Sequence, residues 1–230
     1  MDQMDLTEVL KRAADTIRSD DIWEEAHVKQ ALIIPILAAL GWDQMNLTEL
    51  RSEYLLPNKH KVDYALLSRK EPKVFIEAKR LGNLDKKAID QIFNYATNKG
   101  IPLLVLTDGQ HWDFYLSMAD GEPSSRLFYQ IEISTKSKGD SGSFLKEQKE
   151  NFKNFLSKEK VISGEARRTA EAHYEERKSQ ERARQTIFEA WEKILIDSDT
   201  ILIDALVEEV EKLCGKKPHK DDKWQKLVTC

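Results

Sequence analysis

Three charged side chains stand where a silent core would carry none. Asp63 lies in the run Val-Asp-Tyr-Ala-Leu-Leu at residues 62–67, and Glu77 and Lys79 lie in Val-Phe-Ile-Glu-Ala-Lys at residues 74–79. An ionised group among Val, Ile, Leu and Phe is costly to fold unless it is paired or holds a metal. Glu77 and Lys79 are two apart, so on a strand both side chains point to one face while Ala78 points away. If the two runs are neighbouring antiparallel strands, Asp63 near the start of one meets Glu77 near the end of the other. Two carboxylates and an ammonium then converge. Carboxylate oxygens completed by water and a substrate phosphate suit Mg²⁺, or Mn²⁺ in its place. Such a metal would neutralise phosphate charge and acidify a bound water, which Lys79 would orient or help deprotonate for attack on phosphorus. The chemistry is hydrolysis of a phosphodiester; a serine route has no Gly-x-Ser-x-Gly elbow to use.

The elements that must hold these residues are marked out by periodicity. Leu6, Val9, Leu10, Ala13, Ala14 and Ile17 form the stripe of a helix docked by one side. Asp21-Ile-Trp-Glu24 has capping-box spacing and opens an apolar helix to Leu40, with Pro35 bending it from inside and Gly41 as a left-handed cap. Thr48–Leu56 reads as a strand closed by Pro57-Asn58, and Lys61–Ser68 and Lys73–Lys79 as adjacent antiparallel strands, central in a sheet. Asn83 is placed to cap a helix that runs to about Asn98 with Ala88, Ile89, Ile92, Phe93 and Ala96 inward. Leu103–Thr107 and Trp112–Leu116 make a hairpin around Asp108-Gly109, and Arg126–Ser134 is the last strand, with Leu127, Tyr129, Ile131 and Ile133 on one face.

After that the pattern changes. Thr135–Ser143 reads as a linker, and Phe144–Leu156, Glu165–Leu195 and Thr200–Leu213 as helices. At 230 residues, 40% hydrophobic and 33% charged, the chain has material for one packed domain and an appendage. A net charge of -4 argues against coating nucleic acid by bulk positive charge. Locally the balance reverses: Arg51 to Lys99 holds eleven basic and six acidic side chains, an excess suited to phosphate. Cys214 and Cys230 belong to no Cys-x-x-Cys pair, so neither a disulfide framework nor a zinc site is expected. With no apolar run near the roughly 18 residues of a membrane span, the expected location is cytoplasmic, with no membrane partner. His27, His60 and His111 read as surface or satisfied groups, and Trp23, Trp42 and Trp112 as packing.

Five motifs in order carry a resemblance. Glu25-Ala-x-Val-x-x-x-Leu-Ile-x-Pro-Ile-Leu-x-Ala-Leu-Gly-Trp42, Val62-Asp-Tyr-Ala-Leu66, Ile76-Glu-Ala-Lys-Arg80, Gln91-Ile-Phe-Asn-Tyr95 and Leu106-Thr-Asp-Gly-x-x-Trp112-x-Phe-Tyr115 together resemble the PD-(D/E)XK nuclease superfamily. More narrowly, they resemble the amino-terminal nuclease domain of type I restriction enzyme R subunits, over roughly residues 20 to 117. The resemblance implies an α/β fold, a restriction-endonuclease-like mixed central sheet flanked by helices, with a C-terminal all-helical extension. It implies a nuclease-like domain over 1–135, with helix 1–18 as an N-terminal addition; the residue pattern adds a helical extension over 143–230, whose paired amphipathic helices either serve dimerisation or partner binding or wrap the sheet. Asp63 and Glu77 would be metal ligands with the Ala78 carbonyl as a third, and Lys79 would serve the attacking water. Gln91 and Tyr95 would contact the substrate backbone or steady the site, Arg80 would contact the substrate, and Glu25 would be the acidic residue of the first helix, with Glu24 beside it able to exchange roles.

The implied activity is Mg²⁺-dependent DNA endonucleolysis in restriction or defence. R subunits of that family continue into an ATP-driven motor, and no Gly-x-x-x-x-Gly-Lys-Ser/Thr loop occurs here, so ATP-coupled translocation is not expected. The helical tail, a second copy of the chain or other restriction subunits would then place the nuclease on DNA. Two alternatives stay open: a catalytically silent nucleic-acid-binding or assembly module of the same fold, and a nuclease for RNA or repair intermediates.

Overall fold

A computed structural model describes residues 5–19, 24–84, 89–133, 141–197, 208–209 and 211–212. Six strands form one sheet in chain order: β1 (Leu50–Leu55), β2 (Lys61–Ser68), β3 (Glu71–Ala78), β4 (Leu103–Thr107), β5 (His111–Leu116) and β6 (Leu127–Glu132). Neighbours are antiparallel except β3 and β4, which run parallel with a helix in the connection between them. The architecture is the expected α/β one, a mixed central sheet flanked by helices with a helical C-terminal region.

Strand periodicity divides the core in two. Val74, Ile76 and Ala78 of β3 point to one face, where they meet α1 (Leu6–Arg18), α2 (Glu25–Val28), α3 (Ile34–Ala39) and the helices after the sheet. Phe75 points to the other face, onto Ile92, Phe93 and Ala96 of α4 (Ile89–Lys99). Between α2 and α3 a π-helical turn spans Lys29–Ile33. Pro35 has no amide for the carbonyl four residues back, and the widened turn just before it lets the helical run continue to Ala39. Gly41, at φ +96°, then ends it as the sequence predicts.

Two local departures from expectation have packing reasons. The strand expected from Lys73 begins at Glu71, because Arg69 and Lys70 both take positive φ, +53° and +69°, and close a tight two-residue turn. In β6 the single apolar face is interrupted: Tyr129 pairs with Phe114 but Leu127 pairs with Tyr115, leaving Phe128 as a bulge. Phe128 goes into the first core beside Phe114 and Phe155, while Leu127 turns to the second.

The helices after the sheet are α5 (Ser141–Leu156), α6 (Lys158–Ser163) and α7 (Glu165–Asp197). Phe152, Phe155 and Leu156 are fully buried, Trp42 donates its indole N–H to the Leu156 carbonyl at 2.7 Å, and Ala166, Ala170 and Tyr174 join the same core. The chain divides into compact units at Met1–Glu176 and Arg177–Cys230. The boundary expected between 135 and 143 therefore falls inside the first unit, since the aromatic face of α5 is needed to cover the sheet. Of the second unit, the remainder of α7 to Asp197 and helical residues 208–209 and 211–212 are described. The capping box opening at Asp21, residues 85–88 after Asn83, linker residues 135–140 and the rest of Thr200–Leu213 lie outside the described residues. Among the described residues no helix is long and apolar enough to cross a membrane.

Replacing Phe155 with Ala should lower the unfolding free energy by about 3–5 kcal/mol in a urea titration. A loss near zero would mean that α5 trails the sheet instead of completing its core.

Candidate active site

The β2–β3 hairpin does what the spacing requires. The last paired residues, Tyr64 and Ile76, leave Asp63 and Glu77 next in line at the same end. Asp63 reaches across: its Oδ2 accepts the Ala78 amide at 2.7 Å. Glu77 Oε1 accepts from Lys79 Nζ at 2.6 Å, and both side chains are largely shielded, at 14% and 19% exposure. Glu77 Oε2 is buried with no hydrogen-bond partner among the described residues. A carboxylate oxygen left so is costly, and it is one that a cation could satisfy.

The chain leaving β3 is pinned from β4. Lys79 donates its amide to the Thr107 carbonyl at 2.8 Å, and Gly82 donates to Asp108 Oδ2 at 3.0 Å. Asp108 is buried and also accepts the amides of Gln110 and His111, so one carboxylate closes the hairpin turn and fixes the loop after Lys79. In the sequence it is legible only as a turn residue.

Lys29 is the residue that sequence reasoning missed. Standing at the start of the π-helical turn, its Nζ donates to Asp63 Oδ1 and lies 2.7 Å from Glu25 Oε1. Glu25 thus reaches the site only through Lys29, whereas Glu24 is the N-cap residue of α2 and makes no side-chain cap. The signal was present as a Glu-x-x-x-Lys pair one helical turn apart, which is ordinarily a surface feature.

Of the other expected residues, Arg80 is exposed directly after β3. Tyr95 lies half-buried on α4, with its ring stacked on Phe75 at 6.0 Å between centroids. Gln91 precedes it by one turn on α4, and its side chain lies outside the described residues. His27 and His60 are exposed, His111 leans on Asp108, and Trp42 and Trp112 are core.

Charge explains the electrostatics. Burial raises the Glu77 carboxyl above its ordinary value, the negative charge of Asp63 raises it further, and Lys79 only partly opposes this. For Lys29 burial alone would favour the neutral amine, but its bonds to Asp63 and Glu25 outweigh it and raise its pKa. The residues able to hold a cation are Asp63 and Glu77. Among the described residues no three His, Cys, Asp or Glu side chains form a metal cage, and a carboxylate pair with open positions is the donor set Mg²⁺ ordinarily uses.

Residues 44–122 match the family model of the type I restriction enzyme R protein N terminus. The R protein match covers about a third of the chain and runs from before β1 past β5, so it contains Asp63, Glu77, Lys79, Arg80, Gln91 and Tyr95. Glu25 and Lys29 lie before it, and α5 to α7 after it. The resemblance read from the motifs is thus found over this segment. No curated protein and no solved structure matches the chain.

Because the folded Glu77 carboxyl holds its proton to higher pH than the unfolded chain does, its contribution to stability is lost as pH rises from the ordinary 4.5 through the raised value. Urea titrations in chelator should show that loss in the wild type and a flatter profile in Glu77→Gln. An unchanged slope would contradict the assignment.

Proposed function

We propose that the chain is a divalent-metal-dependent endonuclease that hydrolyses DNA phosphodiester bonds, in restriction or defence. The observation that carries this reading is the buried Glu77 Oε2, without a hydrogen-bond partner among the described residues, beside Asp63 and Lys79 in a segment that matches a restriction-enzyme family. Asp63 and Glu77, with the Ala78 carbonyl, would hold Mg²⁺ or Mn²⁺. Bound there, the ion supplies neutralisation of phosphate charge and a water acidified for attack.

The chain's own residues supply the rest. Lys79, steadied by Glu77 Oε1, donates to the attacking water and aims it at phosphorus, on the side away from the bond to the leaving oxygen. Thr107 and Asp108 keep Lys79 and the following loop at a fixed distance from the carboxylates. Arg80, exposed beside them, contacts a flanking phosphate, and the local excess of basic side chains draws in the backbone without reading bases. Gln91 and Tyr95 support the substrate from α4. Recognition of a particular site is left to a second copy of the chain or to other restriction subunits.

One observation favours a second reading, a silent nucleic-acid-binding module of the same fold: Asp63 and Glu77 each already carry an ammonium partner. Cleavage separates the two. With plasmid DNA and Mg²⁺ or Mn²⁺, the wild type should cut, and Asp63→Asn and Lys79→Ala should each cut at least about a hundredfold more slowly. Identical background from all three proteins would overturn the DNA endonuclease.

A further inference from the structure

Lys29 has a place in the site that neither metal holding nor water positioning requires. Both oxygens of Asp63 are engaged, Oδ2 by the Ala78 amide and Oδ1 by Lys29 Nζ. These two partners differ in freedom. The Ala78 amide belongs to a strand locked between β2 and β4, whereas the ammonium ends a flexible four-carbon stem. A cation that draws on Asp63 therefore meets Lys29 first. Glu25, one turn earlier on the same helical run, holds the same ammonium at 2.7 Å, so Lys29 can leave Asp63 without losing all charge compensation.

We propose that Lys29 is an internal cation that competes with the divalent ion for Asp63, and that Glu25 is the anchor that retains the ammonium when it is displaced. Lys29 is on this account a positioning residue that sets how tightly the site takes metal. The Ala78 amide meanwhile holds Asp63 against β3 through Oδ2, so that the carboxylate is already aimed when the ion arrives. Glu25 acts through Lys29 and is not itself a ligand. The inference rests on the metal-dependent reading above and adds to it a fixed order of exchange at one oxygen.

Opposite shifts from two neighbouring substitutions test it. Mn²⁺ affinity of the full chain, read by calorimetry, should tighten about tenfold in Lys29→Gln, where the competitor is gone. It should weaken in Glu25→Gln, where Asp63 becomes the only carboxylate partner of Lys29. The double variant should match Lys29→Gln, because without Lys29 the anchor has nothing to hold; a double variant weaker than Lys29→Gln would make Glu25 a ligand and overturn the proposal. Equal Mn²⁺ affinity in wild type and Lys29→Gln would overturn it while leaving the metal site standing, whereas no Mn²⁺ binding by either protein would remove both. The wild type gives an independent readout should Lys29→Gln not fold. Saturating Mn²⁺ should speed acylation of Lys29, followed by mass spectrometry of its peptide, and an unchanged rate would overturn the exchange.

Discussion

Asp63 and Glu77 are held together at one end of a hairpin although like charges repel and burial makes the repulsion worse. The pair is tolerable only because Lys29 and Lys79 stand against it, one on each carboxylate. With Glu25 counted, the described residues of the cluster supply three carboxylates for two ammoniums, and one carboxylate oxygen of Glu77 has no hydrogen-bond partner among them. A shielded site with one negative charge in excess attracts a cation more strongly than the same groups in water, because little solvent is present to screen them. Burial first, and the charge of Asp63 second, raise the Glu77 carboxyl in this setting.

The rest of the first unit keeps that imbalance in place. Antiparallel pairing of β2 and β3 brings the carboxylates to one end, and parallel pairing of β3 with β4 lets Thr107 and Asp108 fix the chain just beyond Lys79. Sheet and helix each contribute one ammonium: Lys79 comes from the strand end, Lys29 from the π-helical turn that precedes Pro35. The aromatic face of α5, with Phe152 and Phe155 under β5 and β6, closes the core opposite α4 and keeps the sheet from opening at that side. A site that must bring charges to within hydrogen-bonding distance depends on such stiffness, since a loosened strand would let the carboxylates part.

Local pattern carried most of the fold. The Asp108-Gly109 turn, the Gly41 cap and the charged residues inside two apolar strands were legible because each rests on neighbours within a few positions. Lys29 was not, because its partner Asp63 is 34 residues away and only the folded sheet brings them together. The break in the β6 face was not legible for a similar reason: strict alternation puts Leu127 with Tyr129, and the bulge at Phe128 that separates them goes with packing against Phe114 and Phe155. The role of α5 lay beyond periodicity too, since an amphipathic stripe states that a face is buried but not against what. The family match, for its part, covers the two central strands and stops short of both Lys29 and α5.

The central claim is that Asp63 and Glu77 hold one divalent ion between them. Anomalous scattering from a crystal grown with Mn²⁺ tests this most directly. The account predicts a single peak within about 2.5 Å of an oxygen from each carboxylate. Saturating Mn²⁺ with no peak at that pair, or with density only on surface carboxylates elsewhere, would contradict it.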